Sequence, residues 1–416
     1  MTATSARPTL VVAGLSARLM AEAAARDGYG VIALDAFGDA DTRCAAQRWQ
    51  PIGRPGELRV DAERLLPALA EAASNARVIG WVAGSDLECE PELLERGAAL
   101  LPLIGTAPDA VRRVRDPAVF FEALGALGLP HPETQLAAPR DPSGWLCKHA
   151  RSAGGWHIRP ADSAHASEPE RRPYYQREQA GMPMSALIIG NGREARLIGC
   201  HELIVRALGA RPCVYRGAIG PLLLSTQRLA ALDATLQTLT QTFALRGLAS
   251  VDFIDDGQRL WLLEINPRPS ASMGLHTGAL MRGHVEACLD GRLPDATAAH
   301  SPEQDRDLCG SEIVFARTAL RLSDVQAAAL AARTDCHDLP AAGSRFEAGD
   351  PVCSVSAFGA SVAAVRAELA DKRRRLRAEL AVGNNPGGSA ELLSPSPPRC
   401  EGNAASLQRI TKVSNE

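Results

Sequence analysis

The 416-residue sequence predicts a multidomain protein of mixed α/β and α+β class. Two observations lead to this prediction. The N-terminal region alternates strand and helix patterns, which is typical of a small parallel sheet. Far downstream, Val251–Arg268 reads as a hairpin of two apolar strands that carry acidic side chains. The chain is long enough to form two or three domains with substantial cores.

The N-terminal region predicts a Rossmann-like α/β domain that extends to about residue 105. Thr9–Ala13 reads as a buried strand, a helix follows it, and Val31–Leu34 and Val78–Val82 read as further parallel strands. Ligands of open α/β sheets bind at the carboxyl ends of the strands. Asp86 and Glu88 follow the last strand, and are therefore candidate substrate contacts or residues that begin the next helix.

The middle of the chain predicts an α+β arrangement. Helical patterns cover Pro108–Leu127 and Thr226–Leu245. The strand patterns between them are Trp145–His149, Tyr174–Glu178, Ser185–Ile189 and Leu197–Val205. Beyond these elements the chain becomes rich in Ala and Arg with short strands, and residues 384–416 have the composition of a disordered tail.

The hairpin carries the residues with the clearest chemistry. Glu264 and Asn266 lie two apart on one strand, so their side chains share a face. Asp252 joins that face if the loop has an odd number of residues, and a three-residue loop, 256–258, places it diagonal to Glu264. Three oxygen donors suit Mg²⁺, which takes further ligands from water and phosphates. The alternative is an amphipathic hairpin with solvated acids, but Glu264 lies inside an apolar run.

A lysine and a glycine loop precede the hairpin. Lys148 stands in a chain whose basic residues are nearly all arginine, and its ammonium can approach phosphate oxygens as a point charge. Gly154 and Gly155 follow, and adjacent glycines let backbone N–H groups approach a phosphate. Gln176 and Glu178 lie on a later strand that either borders an adenine or is a plain edge strand.

Composition excludes several classes of function. The net charge of −3 and the aromatic content of 4% argue against a nucleic-acid partner. No apolar run reaches the roughly 18 residues of a membrane helix, so we expect no membrane association. The ten cysteines lack paired metal-ligand spacing, which indicates reduced thiols and a cytoplasmic location.

In the order lysine, glycine loop and acidic hairpin, the chain resembles the ATP-grasp superfamily over about residues 9–290. The resemblance implies a pre-ATP-grasp α/β domain over residues 1–105 and a two-lobed ATP-grasp domain over 106–290, with its lid lobe at about 130–180. Residues 291–383 resemble the small C-terminal β-rich domain of biotin-carboxylase-related proteins.

The resemblance also implies roles for the candidate residues. Lys148 would contact ATP phosphates, Gly154 and Gly155 would belong to the mobile lid, and Gln176 and Glu178 would border the adenine and ribose. The implied ligands of Mg²⁺, or of Mn²⁺ in its place, are Asp252, Glu264 and Asn266. Arg268 would hold the transferred phosphate or the acceptor anion, which makes it a catalytic candidate together with Lys148.

The chain departs from the family pattern at one cation. Many ATP-grasp enzymes have a lysine where this chain has Pro117, so Arg113 or Arg115 would have to replace it. His276, which follows the metal strand, is either an acceptor contact or a helix-entry residue.

The implied function is an ATP-dependent carboxylate–amine ligase with small-molecule carboxylate and amine substrates. The segments Ala13–Ala17, Phe37–Asp39 and Arg115–Phe121 resemble a subgroup of predicted carboligases linked with tetrahydromethanopterin-type one-carbon metabolism. The alternatives are a carboxylase that phosphorylates bicarbonate and a nucleotide-binding regulatory protein without catalysis. A homodimer is compatible with the sequence, which does not fix the oligomeric state.

Overall fold

The computed structural model describes residues 7–54, 56–163, 172–295 and 308–382, and the tail expected at 384–416 lies outside these ranges. The N-terminal part contains a parallel four-stranded sheet in the order β3-β2-β1-β4. Its strands are β1 Thr9–Ala13, β2 Gly30–Asp35, β3 Arg48–Pro51 and β4 Val78–Ala83. The helices that accompany it are α1 Arg18–Arg26, α2 Ala40–Ala45, α3 Ala62–Ala73 and α4 Pro91–Leu100. The predicted α/β class of this region is confirmed.

The helix predicted over Pro108–Leu127 is two helices, α5 Pro108–Arg115 and α6 Pro117–Ala126. Asp116 separates them in an extended conformation and its carboxylate accepts the N–H of Ala118 at 3.0 Å. A residue before proline avoids the helical region, and proline is favoured at the first helical position. The break ends α5 at Arg115, which places this side chain at the site described below.

A small antiparallel sheet, in the order β5-β8-β6-β7, forms the region expected to be the lid. Its strands are β5 Thr134–Gln135, β6 Trp145–His149, β7 Arg159–Pro160 and β8 Pro173–Arg177. Lys148 lies on β6 and Gln176 on the neighbouring β8, where Leu146 pairs with Gln176 and Lys148 pairs with Tyr174.

An eight-stranded antiparallel sheet, in the order β13-β12-β9-β10-β11-β14-β18-β16, forms the centre of the molecule. Its strands are β9 Met182–Asn191, β10 Ala195–Leu208, β11 Arg211–Gly220, β12 Arg246–Asp255, β13 Leu260–Asn266, β14 Leu308–Phe315, β16 Cys336–His337 and β18 Pro351–Gly359. The strands predicted for the C-terminal region therefore continue the central sheet. The remaining elements are α7 Thr226–Phe243, α8 Leu280–Leu289, α9 Asp324–Ala331, α10 Val362–Val382 and the pair β15 Leu320–Arg321 and β17 Arg345–Phe346.

The two faces of β9 and β12 pack against different layers. Ile188 and Val251 point to the side of α6 and α7, whose Leu232, Leu236 and Phe243 are fully buried there. Leu187 and Leu248 point to the other side, where they meet the N-terminal sheet and α8. Because side chains alternate along a strand, Ser185 and Asp252 also face this second side. No described helix is long and apolar enough to cross a membrane.

Candidate functional site

The β12–β13 hairpin brings Asp252 directly opposite Glu264. Asp255 pairs with Leu260, so the loop has four residues, and the prediction of a three-residue loop is wrong. A four-residue loop alone would put Asp252 on the opposite face from Glu264. The register shifts between Asp252 and Phe253, which leaves Leu263 as an extra residue on β13. This bulge restores the common face and brings the two carboxylates closer than the predicted diagonal arrangement.

Asp252 is held by two hydrogen bonds from neighbouring strands. Ser185 Oγ donates to Oδ1 at 2.6 Å and Asn266 Nδ2 donates to Oδ2 at 3.1 Å. Burial, together with the negative charge of Glu264, raises the pKa of Asp252. A bound cation would stabilise the charged form of Asp252 in this position.

The donor set fits Mg²⁺ better than a soft metal. Asp252 and Glu264 offer carboxylate oxygens, and Asn266 adds an amide beside them. Among the described residues no cluster of three His, Cys, Asp or Glu side chains is arranged to hold a metal. A fully protein-built metal cage is therefore absent from this part of the chain, whereas Mg²⁺ commonly uses one or two carboxylates and takes its other ligands from water and phosphate.

Lys148 and Gln176 meet in the small sheet. Lys148 is 8% exposed, and its Nζ donates to Gln176 Oε1 at 2.6 Å. Gln176 Nε2 donates in turn to Thr134 Oγ1 at 3.2 Å, which orients the amide oxygen towards the lysine. Burial lowers the pKa of Lys148, and the negative charges of Glu264 and Asp252 oppose this effect. The ammonium is thus within electrostatic reach of the acidic pair.

Glu178 lies just after β8 and is exposed, with its N–H donating to the Gly144 carbonyl at 2.9 Å. Burial raises the pKa of the Cys213 thiol. The positive charge of Lys148 acts in the opposite direction, and the negative charge of Glu178 adds to the effect of burial. Glu178 and Lys148 therefore both lie close to Cys213 on β11. The two residues therefore have different surroundings: Gln176 is buried and hydrogen-bonded to Lys148, whereas Glu178 is exposed at the surface.

The glycine loop packs against β11. Gly154 and Gly155 have φ values of +68° and +74°, a region that favours glycine. Tyr215 N–H donates to the Gly154 carbonyl at 3.1 Å. A Cβ on Gly155 would lie 1.9 Å from the Cys213 carbonyl oxygen, so only glycine allows this close backbone approach.

Arg115 connects the glycine loop with the acidic hairpin. Its Nη2 donates to the Ala150 carbonyl at 2.9 Å and also to the Ser152 carbonyl, and its Nη1 lies 3.5 Å from Glu264 Oε2. Arg113, the other proposed replacement for the lysine missing at Pro117, points away and donates to the Thr242 carbonyl at 2.9 Å. Of the two alternatives, the structure brings only Arg115 to the candidate site.

Arg268 is partly buried in a network that includes Glu88, from the segment after β4. Its Nε donates to Glu88 Oε1 at 2.8 Å and its Nη2 to Asn266 Oδ1 at 3.3 Å. Glu88 is 2% exposed, so one of the two acids noted at the end of β4 belongs to this network. Asp86 instead accepts the Val60 N–H at 2.8 Å and stabilises the adjoining loop.

Several neighbours of the site have no signal in the sequence. Ser185 and Tyr215 lie on strands whose alternation is clear, but nothing local marks them as partners of Asp252 or of the glycine loop. The Nε2 atoms of His276, which is partly buried, and His201, which is fully buried, lie 2.7 Å apart, and burial lowers the pKa values of the two rings to about 4 and about 3. Sequence spacing cannot reveal such a pair, since β10 and the segment after β13 meet only in the folded chain.

Comparison with known proteins finds a family match and a relative for the middle of the chain. Residues 114–272 match the family described as the ATP-grasp domain. The carbamoyl phosphate synthase large chain of Beutenbergia cavernae is 29% identical over 247 residues, which cover 48% of this chain. The match spans only 22% of that much longer relative.

Solved structures share the fold at low sequence identity. The carboxyaminoimidazole ribonucleotide synthase of Aspergillus clavatus superposes with a TM-score of 0.64 and 15% identity, over 89% of this chain and 99% of that one. The L-amino acid ligase of Bacillus licheniformis gives 0.63 and 13%, over 90% and 98%. Biotin carboxylase of Campylobacter jejuni gives 0.62 and 13%, over 90% and 95%. The likeness therefore extends from the N-terminal sheet through the C-terminal strands.

Proposed function

We propose, from the match of residues 114–272 to the ATP-grasp domain family, that this chain is an ATP- and Mg²⁺-dependent ligase that joins a carboxylate to an amine. The observation that carries the proposal is the opposition of Asp252 and Glu264, with Arg115 at 3.5 Å from Glu264 and Lys148 within electrostatic reach. Cations and acids gathered beside a glycine loop suit phosphoryl transfer, which depends mainly on positioning and charge neutralisation.

In this proposal Asp252 and Glu264 would hold Mg²⁺, with Asn266 beside them, and the metal would neutralise phosphate charge. Lys148 would neutralise further phosphate oxygens, which requires its Nζ to share or leave its hydrogen bond with Gln176. The N–H groups of the glycine loop would add neutral donors. Burial of Lys148 strengthens its electrostatic effect, because the interaction is screened less than in water.

The reaction has two steps. An oxygen of the acceptor carboxylate attacks the γ-phosphorus, the bond to ADP breaks, and an acyl phosphate forms. The amine nitrogen then attacks the acyl carbon, inorganic phosphate leaves, and the nitrogen loses a proton to give the amide. Arg268 is the candidate for the acceptor anion, and its ion pair with Glu88 would fix its orientation.

The resemblance of Ala13–Ala17, Phe37–Asp39 and Arg115–Phe121 to the carboligase subgroup supports a role in a tetrahydromethanopterin-type one-carbon cofactor pathway. No disulfide links the described cysteines, which fits our proposal of a reducing compartment such as the cytoplasm. We propose domain limits at about residues 105 and 290, and the central sheet continues beyond the second limit.

The test is phosphate release from ATP–Mg²⁺ in the presence of pooled carboxylic acids, with and without pooled amines. Release that needs both an acid and an amine, with an amide product detected by mass spectrometry, supports the ligase. Release with bicarbonate alone indicates a carboxylase instead. ATP binding without release in any pool would contradict catalysis and favour a regulatory protein.

A further inference from the structure

Five arginines gather where β11, β14 and α10 meet, outside the site described above. We call them the arginine cluster: Arg206, Arg216, Arg317, Arg373 and Arg377. The carboxylate of Glu312, which is 2% exposed, pairs with Arg373 and acts electrostatically on Arg216 and Arg377 as well. One carboxylate is therefore shared among several guanidinium groups.

The cluster contains buried donors without partners. Arg216 is 9% exposed, and its Nη2 donates to the Ala207 carbonyl at 2.8 Å. The Nε atoms of Arg216 and Arg377 are buried and have no hydrogen-bond partner among the described residues. A buried charged donor without an acceptor costs free energy, so an acceptor at these atoms would be stabilising.

The charges within the cluster oppose one another. Burial and then the neighbouring charge of Arg373 lower the pKa of Arg377, and Arg216 and Arg317 lower it further. Burial likewise lowers the pKa of Arg216, while the charge of Glu312 raises it and the charges of Arg373 and Arg206 lower it. An arginine in a satisfied ion pair has a raised pKa instead, because the adjacent anion favours the charged form of the guanidinium.

The position of Arg216 comes from a bulge. Tyr215 pairs with Val205 and Gly217 pairs with Ile204, so Arg216 is the extra residue on β11. Its guanidinium lies over the Phe315 ring at 5.4 Å from the centroid. A cation stacked on an aromatic face is held in place while its edge N–H groups stay free for an anion.

The same stack reaches the glycine loop. Trp156, directly after Gly155, meets the Phe315 ring edge-on with the centroids 5.7 Å apart. The guanidinium of Arg211 lies over the Trp156 ring, with its central carbon 4.9 Å from the ring centroid. The cluster and the loop therefore share one continuous set of ring contacts.

We propose that the arginine cluster is a binding site for a small multivalent anion that carries phosphate or carboxylate groups. Guanidinium groups match such anions because their forked N–H donors bind two oxygens at once. The anion would satisfy the unpartnered Nε atoms and relieve the repulsion among the arginines. It would also reinforce the Phe315–Trp156 contact on which the glycine loop rests. The site is distinct from the Asp252–Glu264 pair, and its existence does not depend on the ligase reaction.

The test uses the full chain and measures Tm in inorganic phosphate and in citrate, each against NaCl at matched ionic strength. The wild-type protein should gain about 1–3 °C in either anion beyond the NaCl control. Arg377→Gln and the exposed Arg317→Gln should lose most of this gain. Arg374→Gln is the matched control, since Arg374 lies on the same helix but is exposed and pairs with Asp371.

A second measurement separates anion binding from a structural role. In NaCl alone, the Arg377→Gln protein should be as stable as the wild type or more stable, because the substitution removes repulsion. A response to citrate but not to phosphate would assign the site to carboxylates, and the reverse would assign it to phosphates. Equal Tm in all three salts, or a gain that Arg377→Gln and Arg374→Gln share, would overturn the proposal.

Discussion

Arg115 and Glu264 are 149 positions apart in the chain, yet Arg115 Nη1 lies 3.5 Å from Glu264 Oε2. The arginine side chain is 10% exposed and the glutamate side chain 39% exposed. The Glu264 side chain is therefore partly exposed while one of its carboxylate oxygens lies near a largely buried cation. The same arginine holds the backbone that leads into the glycine loop, so it links the loop to the acidic pair.

We predict that Arg115→Ala lowers ATP-dependent phosphate release by at least about tenfold, which corresponds to about 1.4 kcal/mol of lost transition-state stabilisation. The loss has two causes: a cation disappears beside Glu264, and the loop carbonyls of Ala150 and Ser152 lose their donor. Arg115→Lys should restore only part of the rate, because an ammonium cannot reach several acceptors as a planar guanidinium does.

Arg113→Ala is the control for that experiment, because Arg113 lies on the same helix but donates to the Thr242 carbonyl. Its rate should stay within about twofold of the wild type. Equal losses in the Arg113 and Arg115 variants would show that the effect arises from the helix and not from the site.

Glu264→Gln should abolish Mg²⁺-dependent phosphate release while the protein stays folded. The substitution keeps the shape of the side chain but removes one of the two carboxylates that would attract the metal. Isothermal titration with Mg²⁺ and a nonhydrolysable ATP analogue measures the effect directly. Asp233→Asn, at an exposed position on α7, is the control, and tight Mg²⁺–nucleotide binding by the Glu264 variant would contradict the assignment.

Lys148→Ala should impair turnover more strongly than nucleotide binding. Glu264 and Asp252 act electrostatically on Lys148, so we expect its charge to act where phosphate charge builds up during transfer. We expect kcat to fall by about a hundredfold or more, with a smaller change in ATP affinity. Steady-state kinetics with equilibrium binding of ATP–Mg²⁺ separates the two effects, and normal kcat in this variant would rule out the proposed role.

Gly155→Ala should disrupt the glycine loop more than Gly154→Ala. Both positions have positive φ, and so both variants share a conformational cost of about 1–2 kcal/mol. Only at Gly155 would the new Cβ collide with backbone, at 1.9 Å from the Cys213 carbonyl oxygen. At Gly154 the nearest atom is Trp156 Cδ1 at 3.1 Å, on a side chain that can move.

Phosphate release and limited proteolysis of both glycine variants would measure the difference. We expect lower activity and faster cleavage in the loop for Gly155→Ala than for Gly154→Ala. Indistinguishable variants would indicate that the loop does not need its close approach to β11.

We predict that the stability of the protein depends on pH through the buried carboxyl group of Asp39. Asp39 is 7% exposed, and burial together with the charges of Asp338 and Asp41 raises its pKa to about 8. The unfolded-state pKa is about 3.9, so between these values the folded protein holds a proton that the unfolded chain has released. Stability contributed by this group is therefore present at low pH and is lost as the pH rises towards 8.

Asp39→Asn mimics the protonated acid and should be more stable than the wild type at pH 8–9. The difference between the two proteins should shrink as the pH falls, by up to about 1.4 kcal/mol per pH unit within the window. Urea unfolding at several pH values measures it. A difference that is constant with pH would refute the raised pKa.

The sequence alone determined the chemistry of the candidate site, because residue types and their spacing on one strand are local properties. Glu264 and Asn266 share a face through the two-residue period of β13, and Gly154 and Gly155 mark a loop that needs positive φ. The parallel N-terminal sheet and the antiparallel hairpin follow from the same short-range patterns, and the structure confirms the predicted fold class.

Tertiary structure decided which residues meet. Asp252 faces Glu264 because a bulge at Leu263 compensates for a four-residue loop, and bulges depend on how a strand fits its partner. Whether Arg113 or Arg115 reaches the site depends on where Asp116 breaks the helix. Glu88, after β4, meets Arg268, after β13, only in the folded chain. Contacts between distant segments depend on packing across the whole chain, which no local pattern encodes.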